Sequence, residues 1–554
     1  MKPIKILFAV LIVAGLLLPS CRDNTNNYAV FPQGTILSGK TKDGKTFYLI
    51  REDAQTMAGI CFVDNNRAVA EIIDFSTDST GLTIFSYKNE DFSGKMSRKS
   101  KEIVLTLPEI PSLSIASQTI KLKYFNQISG KYDCIETYKH SVFENIVAEK
   151  DLQYGSALGY YTSKPTDYIS KDDYKKWFSE MLSLSWKNKG FLFKYNMEEL
   201  PLLLDVYRPE KSHNNKSPLL LFIHGGAFLF GDKESLVQQA ITDYLVKRGF
   251  TVAAINYRLG TSITPGAIER TIYRDVQDTR AALRYLVHHR EKFGIDEEQL
   301  YLAGSSAGGI ISLTTAFMDS NEIYDSADGG LFNLRENLGG LDDSGNDLKE
   351  PFTIAGVASM WGAVTDLKIL NNHIPTLLFH GTADDIVPCD EGLPFKELMG
   401  EYLHSILSSF GKLYGSEPIY HRLTALNVPV RYIPFHGVGH DPYIESDETL
   451  NAYMDIVCNE LGAFLYENVA KHYFNYHLSG NTLVEAQESI QSYRIDNYKD
   501  VTVQWQVDGG LITEQSNDTI RVIWYSSHTT GKITACITNE KGLSCKKELE
   551  ITIN

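Results

Sequence analysis

Two hydrophobic rhythms divide the chain. Through the first quarter, short stretches alternate apolar and polar positions: residues 46–50, 70–75, 82–87, 103–107 and 120–124. The turn signals Asp43-Gly44 and Ser93-Gly94 fall among them. A period of two over such short runs predicts half-buried strands, and hence a small β domain. Its aromatics Phe47, Tyr48, Phe85 and Tyr87 read as core residues, with stacking on sugar rings as the functional alternative. The middle of the chain behaves differently. Residues 219–223 (LLLFI), 300–303 (LYLA), 376–379 (TLLF) and 428–434 are nearly continuous apolar runs. These are expected of parallel strands covered on both faces. Helical spacing appears at 310–317 and at 275–290, where Val276, Ala282, Leu283 and Leu286 share a face. Residues 393–413 also have helical spacing, whereas 319–350, rich in Asp, Gly and Asn, reads as a long loop. Strict alternation returns at 502–507 (TVQWQV), followed by an Asp508-Gly509-Gly510 turn and apolar runs at 520–524 and 533–537.

At roughly 100–200 residues per domain, 554 residues suggest several units. The rhythms place them at 22–130 (β), 140–470 (mixed α/β) and 475–554 (β), behind a leader at 1–21. In the leader, Lys2 and Lys5 precede an apolar stretch at 6–18 that is shorter than the ~20 residues of a membrane span. It ends in Leu18-Pro19-Ser20-Cys21, which resembles a bacterial lipobox. The resemblance implies cleavage before Cys21, lipidation of its thiol and a polar tether at 22–27. It also implies lipid anchoring in the bacterial cell envelope, in the outer membrane on its periplasmic or cell-surface face. An ordinary cleaved signal peptide is the other reading. A formal net charge of −16, more acidic still without the leader's lysines, argues against nucleic-acid partners and against electrostatic adhesion to anionic lipid.

The chemistry sits at the ends of the apolar runs. Residues 300–303 lead into Gly304-Ser305-Ser306-Ala307-Gly308, a G-x-S-x-G between an expected strand and an expected helix. A serine nucleophile needs such a strained turn with small neighbours, which makes Ser306 the candidate. Run 219–223 ends in His224-Gly225-Gly226. The amides of Gly225 and Gly226, with that of Ala307, are candidates for an oxyanion hole. A plain tight turn is the alternative for the two glycines. Run 376–379 leads into His380-Gly381-Thr382-Ala383-Asp384-Asp385, which offers two adjacent carboxylates. Run 428–434 leads into Phe435-His436-Gly437-Val438-Gly439-His440, which offers two imidazoles. A serine hydroxyl needs an imidazole to take its proton, and the imidazole needs a carboxylate to fix its tautomer. His224 and His380, in H-G turns, read as scaffold residues. The sequence contains no C-x-x-C, no H-E-x-x-H and no phosphate-binding G-x-x-x-x-G-K-[ST], so neither metal nor organic cofactor is expected.

Six blocks in order, Leu204 through Pro209, His224-Gly225-Gly226, Asn256-Tyr257-Arg258-Leu259, Gly304 through Gly309, His380 through Pro388, and Gly437 through His440, resemble the α/β-hydrolase superfamily, in particular its carboxylesterase and lipase branch. The likeness spans roughly residues 151–465. It implies an α/β-hydrolase fold, a mostly parallel central sheet with helices on both faces. Its H-G-x-x-D pattern places the acid on Asp384, leaving Asp385 as a solvated turn residue. Its G-x-G-H pattern places the base on His440 rather than His436. The tail at 475–554 resembles the immunoglobulin-like modules of PKD type that bacteria append to exported enzymes, with Trp505 in the place of their core tryptophan.

Seven cysteines occur in the chain. Cys536 and Cys545 are equidistant from the centre of an Asn539-Glu540-Lys541-Gly542 turn, so a disulfide across that hairpin is expected in an oxidising envelope. Cys61, Cys134, Cys389 and Cys458 read as small buried residues or thiols. The expected function is an extracytoplasmic serine carboxylic-ester hydrolase whose substrates include acylated carbohydrates. A prolyl-oligopeptidase-type peptidase and a non-catalytic surface binding protein are the alternatives.

Overall fold

The structure is a computed structural model. It describes residues 36–44, the strands of 46–107 given below, 116–124, 134–158, 199–210, 216–260, 266–328, 337–395, 411–445, 449–485, 490–497, 499–524 and 528–554. The leader, Cys21 and most of the 393–413 stretch lie outside the described residues. The chain divides into two compact units, 1–133 with 476–537 and 546–554, and 134–475 with 538–545.

In the first unit, eight strands follow one another: β1 (Ile36–Lys40), β2 (Thr46–Arg51), β3 (Thr56–Phe62), β4 (Ala68–Thr77), β5 (Leu82–Tyr87), β6 (Glu90–Ser97), β7 (Glu102–Leu107) and β8 (Gln118–Tyr124). Each pairs antiparallel with the next, and β1 closes on β8 through Leu37 and Ser38, giving a closed up-and-down barrel. Closure leaves no unpaired sheet edge. Asp43-Gly44 is a turn, with Gly44 at φ 87 donating to the Thr41 carbonyl. Ser93-Gly94 is not a turn. It lies within β6, where Gly94 pairs with Thr83 on one side and Leu105 on the other. A glycine within a strand weakens the alternating pattern without breaking the ladder.

The C-terminal strands form two four-stranded sheets. One holds β19 (His477–Ser479), β21 (Gln491–Asp496), β23 (Gly510–Gln515) and β24 (Thr519–Trp524); the other holds β20 (Leu483–Val484), β22 (Val501–Asp508), β25 (Thr530–Asn539) and β26 (Ser544–Ile553). Trp505 and Trp524 are both buried, and the Trp524 indole N–H donates to the Tyr493 hydroxyl at 2.9 Å. The expected Cys536–Cys545 disulfide does not form. Cys536 is disulfide-bonded, as is Cys134, whereas Cys545 is a buried thiol. The reason is register. Asn539 N–H donates to the Leu543 carbonyl, and Thr538 and Ser544 hydroxyls meet at 2.8 Å. The turn therefore centres half a residue later than the cysteine spacing suggests. Continued along the strands, this pairing sets Cys545 opposite Ile537 and turns Cys536 to the other face.

The second unit is built on an eight-stranded sheet. Its strands are β9 (Ile146–Leu158), β10 (Glu199–Pro209), β11 (Ser217–Ile223), β12 (Thr251–Ile255), β13 (Ile295–Ser305), β14 (Ile354–Met360), β15 (Thr376–Gly381) and β18 (Val430–Phe435). The spatial order is β18-β15-β14-β13-β11-β12-β10-β9, and only β10 runs against the rest. A short ladder, β16 (Glu391–Gly392) with β17 (Leu413–Tyr414), stands apart. Helices α1 (Leu236–Val246), α2 (Ala267–His288), α3 (Ala307–Phe317), α4 (Ser416–Ala425) and α5 (Ala452–Tyr473) accompany the sheet. Every residue of β11 and β12 is buried, as expected of strands covered on both faces. This strand order, with one antiparallel member beside an otherwise parallel sheet and helical crossovers, is the α/β-hydrolase fold.

Within the 319–350 stretch, the described residues 337–350 are tied to α2. Arg280 and Arg284 on α2 pair with Asp342, and Gln277 donates to the carbonyls of Leu338 and Gly340. The Arg258 block has a structural function: its guanidinium forms a buried ion pair with Asp278 at 2.8 Å, and its N–H donates to the same carboxylate. Tyr138, ahead of residue 140, is buried within this unit against Phe250 and stacked on Tyr473.

Candidate active site

The carboxyl ends of β13, β15 and β18 deliver the three candidate residues to one place. Ser306 follows β13 directly, with φ 54 and ψ −119, a conformation that costs a non-glycine residue about 1–3 kcal/mol. Packing enforces it. A Cβ at Gly304 would overlap the Gly308 carbonyl, and one at Gly308 would overlap the Ile223 carbonyl at the end of β11. The glycines of the motif thus let α3 close against two strands. Ser306 N–H donates to the Met360 carbonyl of β14 at 2.8 Å, fixing the elbow from the other side.

His440 lies beside the serine, its Nε2 2.8 Å from Ser306 Oγ and its Nδ1 2.7 Å from Asp384 Oδ2. A carboxylate only accepts, so in the neutral ring Nδ1 carries the hydrogen and Nε2 presents its lone pair to the serine hydroxyl. Asp384 Oδ1 accepts from the backbone N–H groups of Ile386 and Val387 at 2.9 and 3.0 Å. Burial works against ionisation of Asp384, but the imidazoles of His440 and His380 and their hydrogen bonds outweigh it, and the carboxyl is held well below its ordinary range. Burial likewise disfavours a charged His440. The carboxylates of Asp384, Asp441 and Asp385 overcome that, and its pKa is pushed up to about 9.

The structure thus brings Ser306, Asp384 and His440 together and leaves the other candidates aside. His436 is exposed. Asp385 is half-buried rather than fully solvated, and its charge favours the protonated form of His440. His224 stacks on Tyr257 with ring centroids 4.4 Å apart, and its Nδ1 lies 2.6 Å from the Gly225 carbonyl, so Nδ1–H donates there. Burial lowers its pKa to about 4, which keeps the ring neutral.

The oxyanion candidates border Ser306. A Cβ on Gly225 would stand 3.2 Å from Ser306 Cβ, so the Gly225 backbone packs directly on the serine. Gly226, Ala227 and Phe228 follow at φ 121, 52 and 65, three successive left-handed residues closed by N–H donation from Leu229 and Phe230 to the Gly226 carbonyl. Such strain concentrates at functional loops. Ala307 opens α3, and the first N–H groups of a helix lack intrahelical acceptors and carry its positive dipole end. The far end of the glycine loop is pinned by Lys233, whose ammonium pairs with buried Asp205 at 2.9 Å and with Asp151 at 3.0 Å.

Two neighbours escape the sequence reading. Asp441, directly after His440, sits at φ 52, and burial pushes its carboxyl above the ordinary range despite the adjacent imidazole. Trp361, fully buried after β14, stacks on Tyr443 at 5.2 Å. The one local signal for the first was a carboxylate adjoining a candidate base; the second has none. Among the described residues, no group of three or more His, Cys, Asp or Glu side chains is arranged as metal ligands.

A family model described as BD-FAE matches residues 204–373, a stretch that includes the glycine loop and Ser306 and ends before Asp384. Over part of its length the chain is similar to esterases. Esterase-5B of Drosophila persimilis is 32% identical over 110 residues, 20% of each chain. The probable isoprenylcysteine alpha-carbonyl methylesterase ICMEL1 of Arabidopsis thaliana is 28% identical over 226 residues, 35% of this chain and 44% of that protein. The chain thus spans between a fifth and somewhat under half of these relatives' own lengths. Among solved structures, a truncated carbohydrate esterase from gut microbiota matches at 17% identity and a TM-score of 0.34, over 60% of this chain and 99% of that one. Apo esterase 2 of Thermogutta terrifontis matches at 16% identity and a TM-score of 0.31, over 48% and 90%.

Proposed function

We propose that this protein is a serine carboxylic-ester hydrolase. The observation that carries the reading is the unbroken chain Ser306 Oγ, His440 Nε2, His440 Nδ1, Asp384 Oδ2, set on a strained elbow beside backbone amides. In the reaction, His440 takes the Ser306 proton as Oγ attacks the ester carbonyl. The amides of Ala307, Gly225 and Gly226 receive the negative charge developing on the carbonyl oxygen. His440 then passes its proton to the departing alkoxide, and a water repeats the sequence on the acyl-enzyme. No step draws on a metal or organic cofactor. Attachment to the bacterial envelope through acyl chains on Cys21 completes the proposal, and an envelope hydrolase carrying accessory β units suits acyl groups on polysaccharides. The resemblance of the C-terminal sheets to PKD modules belongs to the same proposal.

Turnover of p-nitrophenyl acyl esters, acylated glycans and peptide amides tests it. Ester turnover that disappears in Ser306→Ala is the expected result. Amide turnover exceeding ester turnover would transfer the reading to a peptidase. Absence of both would leave a binding protein on a hydrolase scaffold.

The charge around His440 also predicts a pH profile. Only neutral imidazole can act as the base, and the nearby carboxylates favour the charged form, with a pKa of about 9. The rate constant kcat/KM should therefore climb from neutral pH into the alkaline range and level off only above the His440 pKa. A profile already flat at pH 7 would mean that the three carboxylates do not govern the base.

A further inference from the structure

His380 is an imidazole that the proposed mechanism does not use. It is fully buried at the end of β15. Its Nε2 lies 3.1 Å from the Val387 carbonyl and 3.2 Å from Asp384 Oδ2; its Nδ1 lies 2.8 Å from Ser416 Oγ. Both neighbours of Nε2 are acceptors, so Nε2 carries a hydrogen, and Nδ1 accepts from the Ser416 hydroxyl. Ser416, also fully buried, opens α4. Asp384 is therefore faced by four donors: two backbone amides on Oδ1, and on Oδ2 the Nδ1–H of His440 and the Nε2–H of His380, which the Val387 carbonyl shares.

We propose that His380 is a positioning residue for the acid: its Nε2–H fixes Asp384 Oδ2 and shares that oxygen with His440, which limits the negative charge the acid offers the base. His380 does not touch Ser306. The inference rests on the serine-hydrolase reading but concerns a different contact. A carboxylate oxygen divided between two N–H donors gives each a weaker bond than it would give one alone. Removing the His380 donor should concentrate the charge on His440 and favour its protonated form. It should also free Asp384 to rotate. A purely structural His380, packing the 381–388 turn, would leave the His440 titration unmoved. The groups facing the base and acid are Asp384, Asp385 and Asp441 around His440, then His380 and His440 around Asp384. Cys389, on the same loop, and Glu417, beside Ser416 on α4, lie further out.

The experiment is proton NMR titration of His440 in the full-length protein carrying isotope-labelled histidine, the resonance being assigned by its loss in His440→Ala. Wild type, His380→Leu, His380→Gln and Ser416→Ala are compared, each checked for a wild-type unfolding midpoint, with kcat and KM measured alongside. In His380→Leu the His440 midpoint should move to higher pH, and kcat should fall about 10- to 100-fold with KM little changed, as expected for misplacement without lost substrate contacts. His380→Gln, whose amide nitrogen reaches the Nε2 position, should restore most of both. Ser416→Ala, which weakens Nε2–H as a donor without touching the 381–388 turn, should shift the midpoint in the same direction by less. It supplies the test if His380→Leu does not fold. A His440 midpoint unmoved or lowered in the folded variants, or a glutamine variant as impaired as the leucine one, would overturn the proposal. The titration needs no turnover. An inactive wild type therefore counts against the hydrolase reading alone, while an unmoved titration counts against the role of His380.

Discussion

Ser306→Ala should slow ester hydrolysis by ~10⁴–10⁶ in kcat, with His440→Ala falling in the same range, because members of such a chain act as a unit. The loss is expected to be catalytic and not structural. Ser306 holds its strained backbone through the surrounding glycines and through its N–H bond to the Met360 carbonyl, and alanine keeps all of these. The hydroxyl makes one side-chain hydrogen bond among those described here, to His440 Nε2, so its removal leaves one imidazole nitrogen facing the site. The free energy of unfolding should therefore stay within about 1 kcal/mol of wild type, as for a substitution that breaks no packing. Residual turnover above water is expected from the oxyanion amides. The check is kcat on an activated ester beside a thermal or denaturant melt. Near-wild-type turnover in folded Ser306→Ala would remove the nucleophile assignment and the reaction scheme with it. An unreactive but unfolded variant would shift Ser306 to a structural role.

Much of this arrangement was readable along the chain. The apolar runs at 300–303 and 376–379 lie in β13 and β15, and that at 428–434 leads into β18. Burial of a parallel sheet on both faces gives continuous apolar strands, and their carboxyl ends are where an open α/β sheet presents its loops. The G-x-S-x-G, H-G-x-x-D and G-x-G-H turns each follow such a run, so position in the sheet and chemistry were marked by the same residues. Long-range pairing was less legible. Nothing local in 36–40 or 118–124 signals that β1 and β8 meet, because barrel closure is a contact between residues distant in sequence. The 539–543 hairpin shows how little separates right from wrong register: a turn centred half a residue later put Cys536 and Cys545 on opposite faces. His380 was visible as a histidine in a glycine turn. Its approach to Asp384 depends on the turn at 381–384, closed by donation from the Asp384 N–H to the Gly381 carbonyl, which residue types alone do not encode.

Of the two adjacent carboxylates, Asp384 should be the one that cannot be replaced. Asp384→Asn is expected to lower kcat by ~10⁴, as loss of a carboxylate behind a catalytic imidazole does in related triads. Here the reason is specific. Both oxygens of Asp384 face donors: backbone N–H groups of Ile386 and Val387 on one, and imidazole N–H groups of His380 and His440 on the other. An asparagine amide has one oxygen and one NH₂. Whichever way it turns, the NH₂ opposes two N–H groups. If the NH₂ faces the imidazoles, His440 escapes the clash by taking its hydrogen on Nε2, and it then has no lone pair for the Ser306 proton. If the NH₂ faces the backbone amides, the 384–387 turn must open. Either outcome disables the base, so the loss should appear in kcat more than in KM. Asp385→Asn is different in kind. Its carboxylate acts on His440 as a nearby charge, so its removal should leave turnover within about tenfold of wild type. With one carboxylate fewer favouring imidazolium, the rise of kcat/KM should move slightly toward lower pH. Measuring kcat/KM across pH for both variants separates the two roles. If Asp385→Asn were the inactive enzyme and Asp384→Asn kept its turnover, the acid would have to be reassigned. The short contact between Asp384 and His440 would then be a structural tie rather than the support of a base.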